Sequence, residues 1–221
     1  MAHARLLGDG SDLSATGGEM KVYELKRAPN ARRVRIFLAE KGIEMAYHQF
    51  DLGAGENLAP AFLAKNPAGR IPVLELDDGS CLSESLAICR YFEELNPEPN
   101  LFGRTALERA TIEMWSRFIE FNLWLPTGMA FRHITGFYKD RETVFPEWGE
   151  ECKQQALAWF DKFDARLAEV SYVAGDRFTI ADILALCTLD FGKVVGLRTT
   201  PEQPNLQAWH ERVSTRPSAQ A

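Results

Sequence analysis

Over residues 21–94 short apolar runs separated by polar turns alternate between strand-like and helix-like spacing. The pattern predicts strands over 21–25, 45–51, 72–76 and 81–82, and helices over 31–41, 58–64 and 84–94. In chain order this is β-α-β-α-β-β-α. Two βα units followed by a hairpin and a closing helix make a mixed four-stranded sheet with helices packed on it. Asp77-Asp78-Gly79 supplies the hairpin turn, and Gly42 stops the first helix after Val34 and Leu38 have marked its inward face.

Pro97 and Pro99 then break the alternation, and the rest of the chain has helical spacing. Leu107, Ala110, Met114, Phe118, Phe121 and Leu125 recur at helical spacing up to Pro126 and Gly128, which are expected to kink or end that helix. Ala156, Phe160, Phe163 and Leu167 mark a second helix, Ile180, Ile183, Leu184, Cys187 and Phe191 a third, and Pro204 starts a last one. The expected organisation is an α/β domain over 20–95, a linker over 96–103 and an all-helical domain over 104–221. Residues 1–19 are polar and glycine-rich, lack the apolar run of a secretory signal, and are expected to form a disordered extension.

Composition narrows the classes of function. The chain has 221 residues, 46% hydrophobic, and a net charge of −6. The excess of negative charge has the wrong sign for non-specific nucleic-acid binding. No stretch approaches the roughly 18 consecutive apolar residues of a membrane span. Cys81, Cys89, Cys152 and Cys187 form neither a CxxC pair nor a metal-type spacing. They are expected to be reduced core thiols in a reducing compartment, and no metal is expected.

Three segments carry candidate chemistry. The turn Lys26-Arg27-Ala28-Pro29-Asn30 leaves a strand and enters a helix, so it presents free N–H groups and the positive end of a dipole to an anion such as a thiolate. The plainer reading is an ordinary βα loop capped by Asn30. In Asn66-Pro67-Ala68-Gly69-Arg70-Ile71-Pro72, a proline opens a strand after a β-branched residue; a cis Ile71–Pro72 bond there would turn the Ile71 backbone toward a peptide-like ligand. In Ser83-Glu84-Ser85 a helix begins with Ser83 as a candidate cap. Ser85 can hold a carboxylate while Glu84 takes a neighbouring ammonium, and the two charges on one carbon describe a γ-glutamyl group.

Together Pro29-Asn30, Arg70-Ile71-Pro72 and Glu84-Ser85-Leu86-Ala87-Ile88, in a domain of this order followed by a helical one, resemble the cytosolic glutathione transferases. The stretch Ala28–Val34 is most similar to bacterial members related to the nu class. Phe178-Thr179-Ile180-Ala181-Asp182-Ile183 matches the family's N-capping segment, which makes Asp182 structural. The resemblance implies a thioredoxin-like first domain, glutathione as co-substrate, a small hydrophobic second substrate, a cytoplasmic location and a homodimer.

It also implies site roles. Arg70, Ile71, Pro72, Glu84 and Ser85 would bind the tripeptide, with Gln49 and His48 as weaker candidates for its glycine end. Where many transferases carry Ser or Cys, Ala28 cannot bond the sulfur, and Ala28-Pro29-Asn30-Ala31 lacks both thiols of a Cys-Pro-x-Cys turn. The sulfur then falls to Asn30 and the adjacent N–H groups, with Tyr23 as the alternative. The substrate wall is expected from the first long helix and the loop after it: Trp115, Trp124, Met129 and Phe131 as apolar lining, Arg117 or Arg132 as polar features. Thiol conjugation, disulfide reduction by two glutathiones and non-catalytic ligand binding all fit these residues.

Overall fold

The computed structural model describes residues 20–221; the extension expected over 1–19 lies outside the described residues. Four strands, β1 (Lys21–Glu24), β2 (Ala46–Gln49), β3 (Val73–Glu75) and β4 (Cys81–Ser83), form one sheet in the order β2-β1-β3-β4. β1 pairs parallel with β2 and antiparallel with β3, and β3 pairs antiparallel with β4. The expected mixed sheet is present. The β3–β4 turn is held by Leu76 N–H to Ser80 O at 2.8 Å and by Asp78 Oδ1, which accepts from the Ser80 N–H at 2.8 Å, with Gly79 at φ +83°.

Helix α1 (Pro29–Lys41) runs between β1 and β2, α2 (Pro60–Leu63) follows a single 3-10 turn, and α3 (Ser85–Leu95) closes the domain. α1 begins two residues earlier than its periodicity predicts. Pro29 has no N–H to satisfy and a φ suited to the first turn, so it enters the helix with Ala28 as the N-cap. Asn30 therefore lies inside α1 and does not cap it. Likewise Ser83 is the last residue of β4, and the N-cap of α3 is Glu84.

The second domain consists of α4 (Ala106–Ile119), α5 (Leu125–Thr135), α6 (Pro146–Glu169), α7 (Ile180–Gly192) and α8 (Pro204–Ser214). Between α4 and α5 the backbone does not stop at Pro126. It widens into one π-helical turn, Glu120–Trp124, and continues as α5 with Pro126 in its first turn. A proline inside an α-helix clashes with the carbonyl four residues earlier and leaves it without a donor; a π turn just ahead of Pro126 changes that pairing. The expected loop after the first long helix is thus a helix, which carries Met129 and Phe131 into the space between the domains.

α7 is the hub of the helical domain, with Ile180 through Leu189 buried. Thr179 and Asp182 form a capping box, and the wholly buried Asp182 carboxylate also accepts from the Val173 N–H and the Trp209 indole N–H, each at 2.9 Å. Burial pushes the Asp182 carboxyl above the usual range against the pull of these donors. The domains are locked through α1. Arg32 pairs with Asp190 at 2.6 Å and donates to Ala219 O at 3.1 Å, while Arg216 grips Glu40 with two bonds of 2.8 Å. Asp190 also meets Lys193 and His210, and these donors hold its carboxyl well below the usual range although burial opposes them.

Candidate functional site

A cleft with two lobes opens between the domains. One lobe, of about 230 Å³, is bounded by Ala28, Pro29, Leu58, Phe131, Tyr138 and Phe191; the other, of about 270 Å³, by Asn66, Pro72, Glu84, Ser85 and Met129. Asn30, Arg70, Ile71, Trp124, Gly128 and Arg132 border both. Asn30 is the α1 residue that borders both lobes.

Each sequence segment reaches this cleft through its backbone. At the start of α1 the first amide to donate into the helix is that of Arg32, to Ala28 O at 3.0 Å. Pro29 has no N–H, so the amides of Asn30 and Ala31 are the free donors of that turn. The Asn30 Oδ1 is buried without a hydrogen-bond partner among the described residues. At the start of α3 the first helical bond runs from Ile88 N–H to Glu84 O at 3.0 Å, which leaves the Ser85 amide and hydroxyl at the cleft wall. Glu84 is the one described non-glycine residue with positive φ, at +68°. A side chain in that region costs on the order of 1–3 kcal/mol, and such strain concentrates at ligand sites.

The Ile71–Pro72 bond is cis. Ile71 precedes Val73, the first residue of β3 in the ladder, so its N–H and C=O remain outside sheet pairing. Two asparagines brace this loop. Asn57 donates from Nδ2 to Gly69 O at 2.6 Å, and Asn66 donates to Arg70 O at 2.8 Å while its Oδ1 accepts from Ala68 N–H at 3.1 Å. The sequence reading missed both as part of the cleft wall, although Asn66-Pro67 is a turn signal of this kind. It also missed Gly128, on α5, whose bare position leaves room between the lobes.

Other candidates lie elsewhere. Tyr23 is buried against Phe50 and Phe62 and donates its hydroxyl to Glu75 at 2.5 Å, away from both lobes. Gln49 donates to Glu24 Oε1 at 2.6 Å and accepts from Lys26 N–H at 2.9 Å, which ties the ends of β1 and β2; His48 packs on Tyr23 and Phe50. Trp115 packs against Phe118, Phe163 and the Arg166 guanidinium, outside the cleft lining. Arg117 pairs with Glu113 and Glu120 beside a separate groove between α3 and α4. Trp115 and Arg117, expected at the substrate wall, do not border the cleft, because they project from other sides of α4. Met129, Phe131, Trp124 and Arg132 do border the cleft.

The cleft is a basic site on an acidic chain. Arg70, Arg132 and Arg141 face Glu84 and Glu142. Arg132 is paired with Glu142, and Arg141 reaches Leu52 O at 3.5 Å on the opposite wall. None of the four cysteines lines either lobe; all are free thiols, three of them buried and Cys81 partly exposed on β4. No group of side chains suited to a metal occurs among the described residues, and no described helix is long and apolar enough to cross a membrane.

A thioredoxin-like sheet domain joined to a helical domain, with a cleft between them at the first turn of α1, defines the class of protein. The family model described as the N-terminal domain of glutathione S-transferase matches residues 28–95, and that of the C-terminal domain matches residues 127–217. Glutathione S-transferase 2 of Saccharomyces cerevisiae is 38% identical over 91% of each chain. The crystal structure of Gtt2 from the same yeast superposes with a TM-score of 0.86 at 38% identity, covering 90% of this chain and 98% of that one. A glutathione S-transferase of class Gtt2 from Vibrio parahaemolyticus gives 0.78 at 38% identity, over 91% and 96%. The chain belongs to the glutathione S-transferase family.

Proposed function

We propose that the protein is a glutathione transferase in which the thiolate of bound glutathione, held at Asn30, attacks a hydrophobic electrophile in the adjoining aromatic lobe. The reading is carried by the position of Asn30, where a lobe that carries Glu84 and Ser85 meets one lined by Trp124, Phe131 and Phe191. The γ-glutamyl group fits the first of these: its carboxylate meets the free amide and hydroxyl of Ser85, and its ammonium meets the Glu84 carboxylate. The Ile71 N–H and C=O pair with the central residue as an added strand would. Arg70 supplies a cation for the remaining carboxylate. The sulfur then falls beside the free amides of Asn30 and Ala31 and the Asn30 side chain, donors that favour the thiolate without a titrating group.

Retention on immobilised glutathione tests the binding half. Wild type is expected to bind and Ser85→Ala to elute early; equal retention of both would sink the γ-glutamyl contact. Turnover of a chloronitrobenzene acceptor, compared with a small disulfide, tests the chemistry. Because no protein thiol lines the cleft, disulfide reduction would need a second glutathione, and faster turnover of the disulfide would favour that reading. The free amides of Asn30 and Ala31, with no thiol or hydroxyl at Ala28, support a sulfur site made of amides.

The protein is also read as a cytoplasmic homodimer. Leu107, Met114, Phe118, Phe121 and Leu125 stand exposed along α4, the π turn and the first residue of α5, at spacings that repeat one helical stripe. An unpartnered stripe of this kind supports a covered face.

A further inference from the structure

α1 carries a second polar residue one turn beyond Asn30. Arg33 is only 2% exposed, yet its guanidinium has no carboxylate partner at ion-pair distance among the described residues. Among the described residues its one hydrogen bond is long, from Nη2 to Thr188 Oγ1 at 3.5 Å, and its Nε is buried without a partner. The guanidinium lies 4.3 Å from the centre of the Trp124 ring, and Trp124 borders both lobes of the cleft. Residues three apart on a helix are neighbours, about 5–6 Å between Cβ atoms, so Arg33 follows Asn30 on the same side of α1, and its guanidinium ends against the Trp124 ring that borders the cleft.

A buried charge without a counter-ion is costly, and chains keep one only where something offsets it. The charged and titratable groups around Arg33 do not offset it at contact. From α3 it faces Glu84 and Cys89, from α7 Cys187, and from the π turn Glu120. Burial pushes both thiols up, Cys187 to about 11, so they are neutral near pH 7. Burial lowers the guanidinium only to about 10, so it stays charged. Arg32, beside it on α1, is already spent on Asp190. The charges that line the cleft itself are Arg70, Arg132, Arg141, Glu84 and Glu142, with Arg132 paired to Glu142.

We infer that Arg33 is a positioning residue for the sulfur: its buried cation, one turn along α1 from Asn30 and stacked on the Trp124 ring that borders the cleft, takes the thiolate of bound glutathione as its counter-charge and holds it ionised. The inference rests on the reading of the cleft as a glutathione site. Arg33 touches neither ligand nor reacting atoms in this arrangement; it acts through the potential at the Asn30 turn, where the low dielectric of the interior screens little.

The test is an ultraviolet titration of the thiolate of glutathione bound to wild type, Arg33→Met and Arg33→Lys, with binding of S-methylglutathione, which has no ionisable sulfur, as the control. In wild type the bound thiol is expected to ionise well below its free value of about 8.5. In Arg33→Met it should ionise at least about one unit higher, a roughly tenfold loss of thiolate at a given pH, while S-methylglutathione binds within about threefold of wild type. Arg33→Lys should restore most of the shift. Ligand-free Arg33→Met should melt no lower than wild type, since it removes an unpaired buried charge. An unshifted wild-type thiol would overturn the reading of the cleft and this inference with it. A shift equal in wild type and Arg33→Met, or an equal loss of glutathione and S-methylglutathione binding, would overturn the inference alone. Should Arg33→Met fail to fold, Arg33→Lys decides: a retained shift supports the charge, and a lost shift with intact S-methylglutathione binding overturns it.

Discussion

At the scale of residues, the division of labour between Asn30 and Tyr23 is a matter of where each side chain ends. Tyr23 spends its hydroxyl on Glu75 inside an aromatic cluster, whereas Asn30 stands where the two lobes join. Asn30→Ala is therefore expected to lower kcat/KM on the order of 10²-fold, and Tyr23→Phe to leave it within about twofold. Steady-state kinetics with a chloronitrobenzene acceptor checks both; a large loss on Tyr23→Phe would reverse the assignment. Tyr23 matters instead to stability. Hydrogen bonds from Lys65 and then Tyr23 hold the Glu75 carboxyl at about 2, below its ordinary 4.5. A carboxyl whose pKa is depressed by folding stabilises the fold fully above its ordinary value, and the contribution fades as pH falls toward the folded value. Stability measured by urea unfolding should fall between about pH 4.5 and pH 2, and Glu75→Gln should flatten that part of the curve.

At the scale of elements, two helix starts look alike in sequence and differ in use. Thr179 and Asp182 close the N-terminus of α7 on itself, and Asp182 accepts further bonds from Val173 and Trp209. The start of α3 has no side-chain cap, so its donors stay open to the cleft. Asp182→Ala strands several buried donors at once and should cost roughly 3 kcal/mol or more, read as a lowered melting temperature, with glutathione affinity unchanged in the fraction that remains folded. The π turn before Pro126 has a different consequence. It lets one long helical path pass the proline, so Trp124, Gly128 and Arg132 all come to border the cleft.

At the scale of the whole molecule, the cleft exists because α1 belongs to both halves. Its first turn forms the floor at Asn30, and its outer residues Arg32 and Glu40 hold Asp190 and Arg216 of the helical part. The proposed dimer is tested on the exposed stripe that runs from α4 into the π turn. Phe121, in that turn, is 62% exposed, so Phe121→Glu should shift sedimentation from dimer to monomer while leaving the melting of each subunit cooperative. A wild-type chain that sediments as a monomer would remove the dimer from the account.

The sheet domain and the three segments that line the cleft were legible in the sequence because they are written in local chemistry. Period-two runs, Asp-Gly turns, a proline at a strand entry and Ser/Glu at a helix start each act within a few residues. The same locality misled at Pro126 and Gly128, where breaker residues read as an end and the chain carried on through a π turn. Trp115, Arg117 and Arg33 could not be sorted by spacing, since all three lie on regular helices and only packing decides which face meets the cleft. Trp115 turned into the helical core, Arg117 to a surface groove, and Arg33 to the buried side of α1. By itself the sequence determined which open donors and charges the strand and helix ends present, because caps and turns are set by neighbouring residues. The tertiary structure alone decided that these segments line one cleft, and that on α1 a buried Arg33 has no ion-pair partner among the described residues, because burial and counter-charge come from residues distant in the chain.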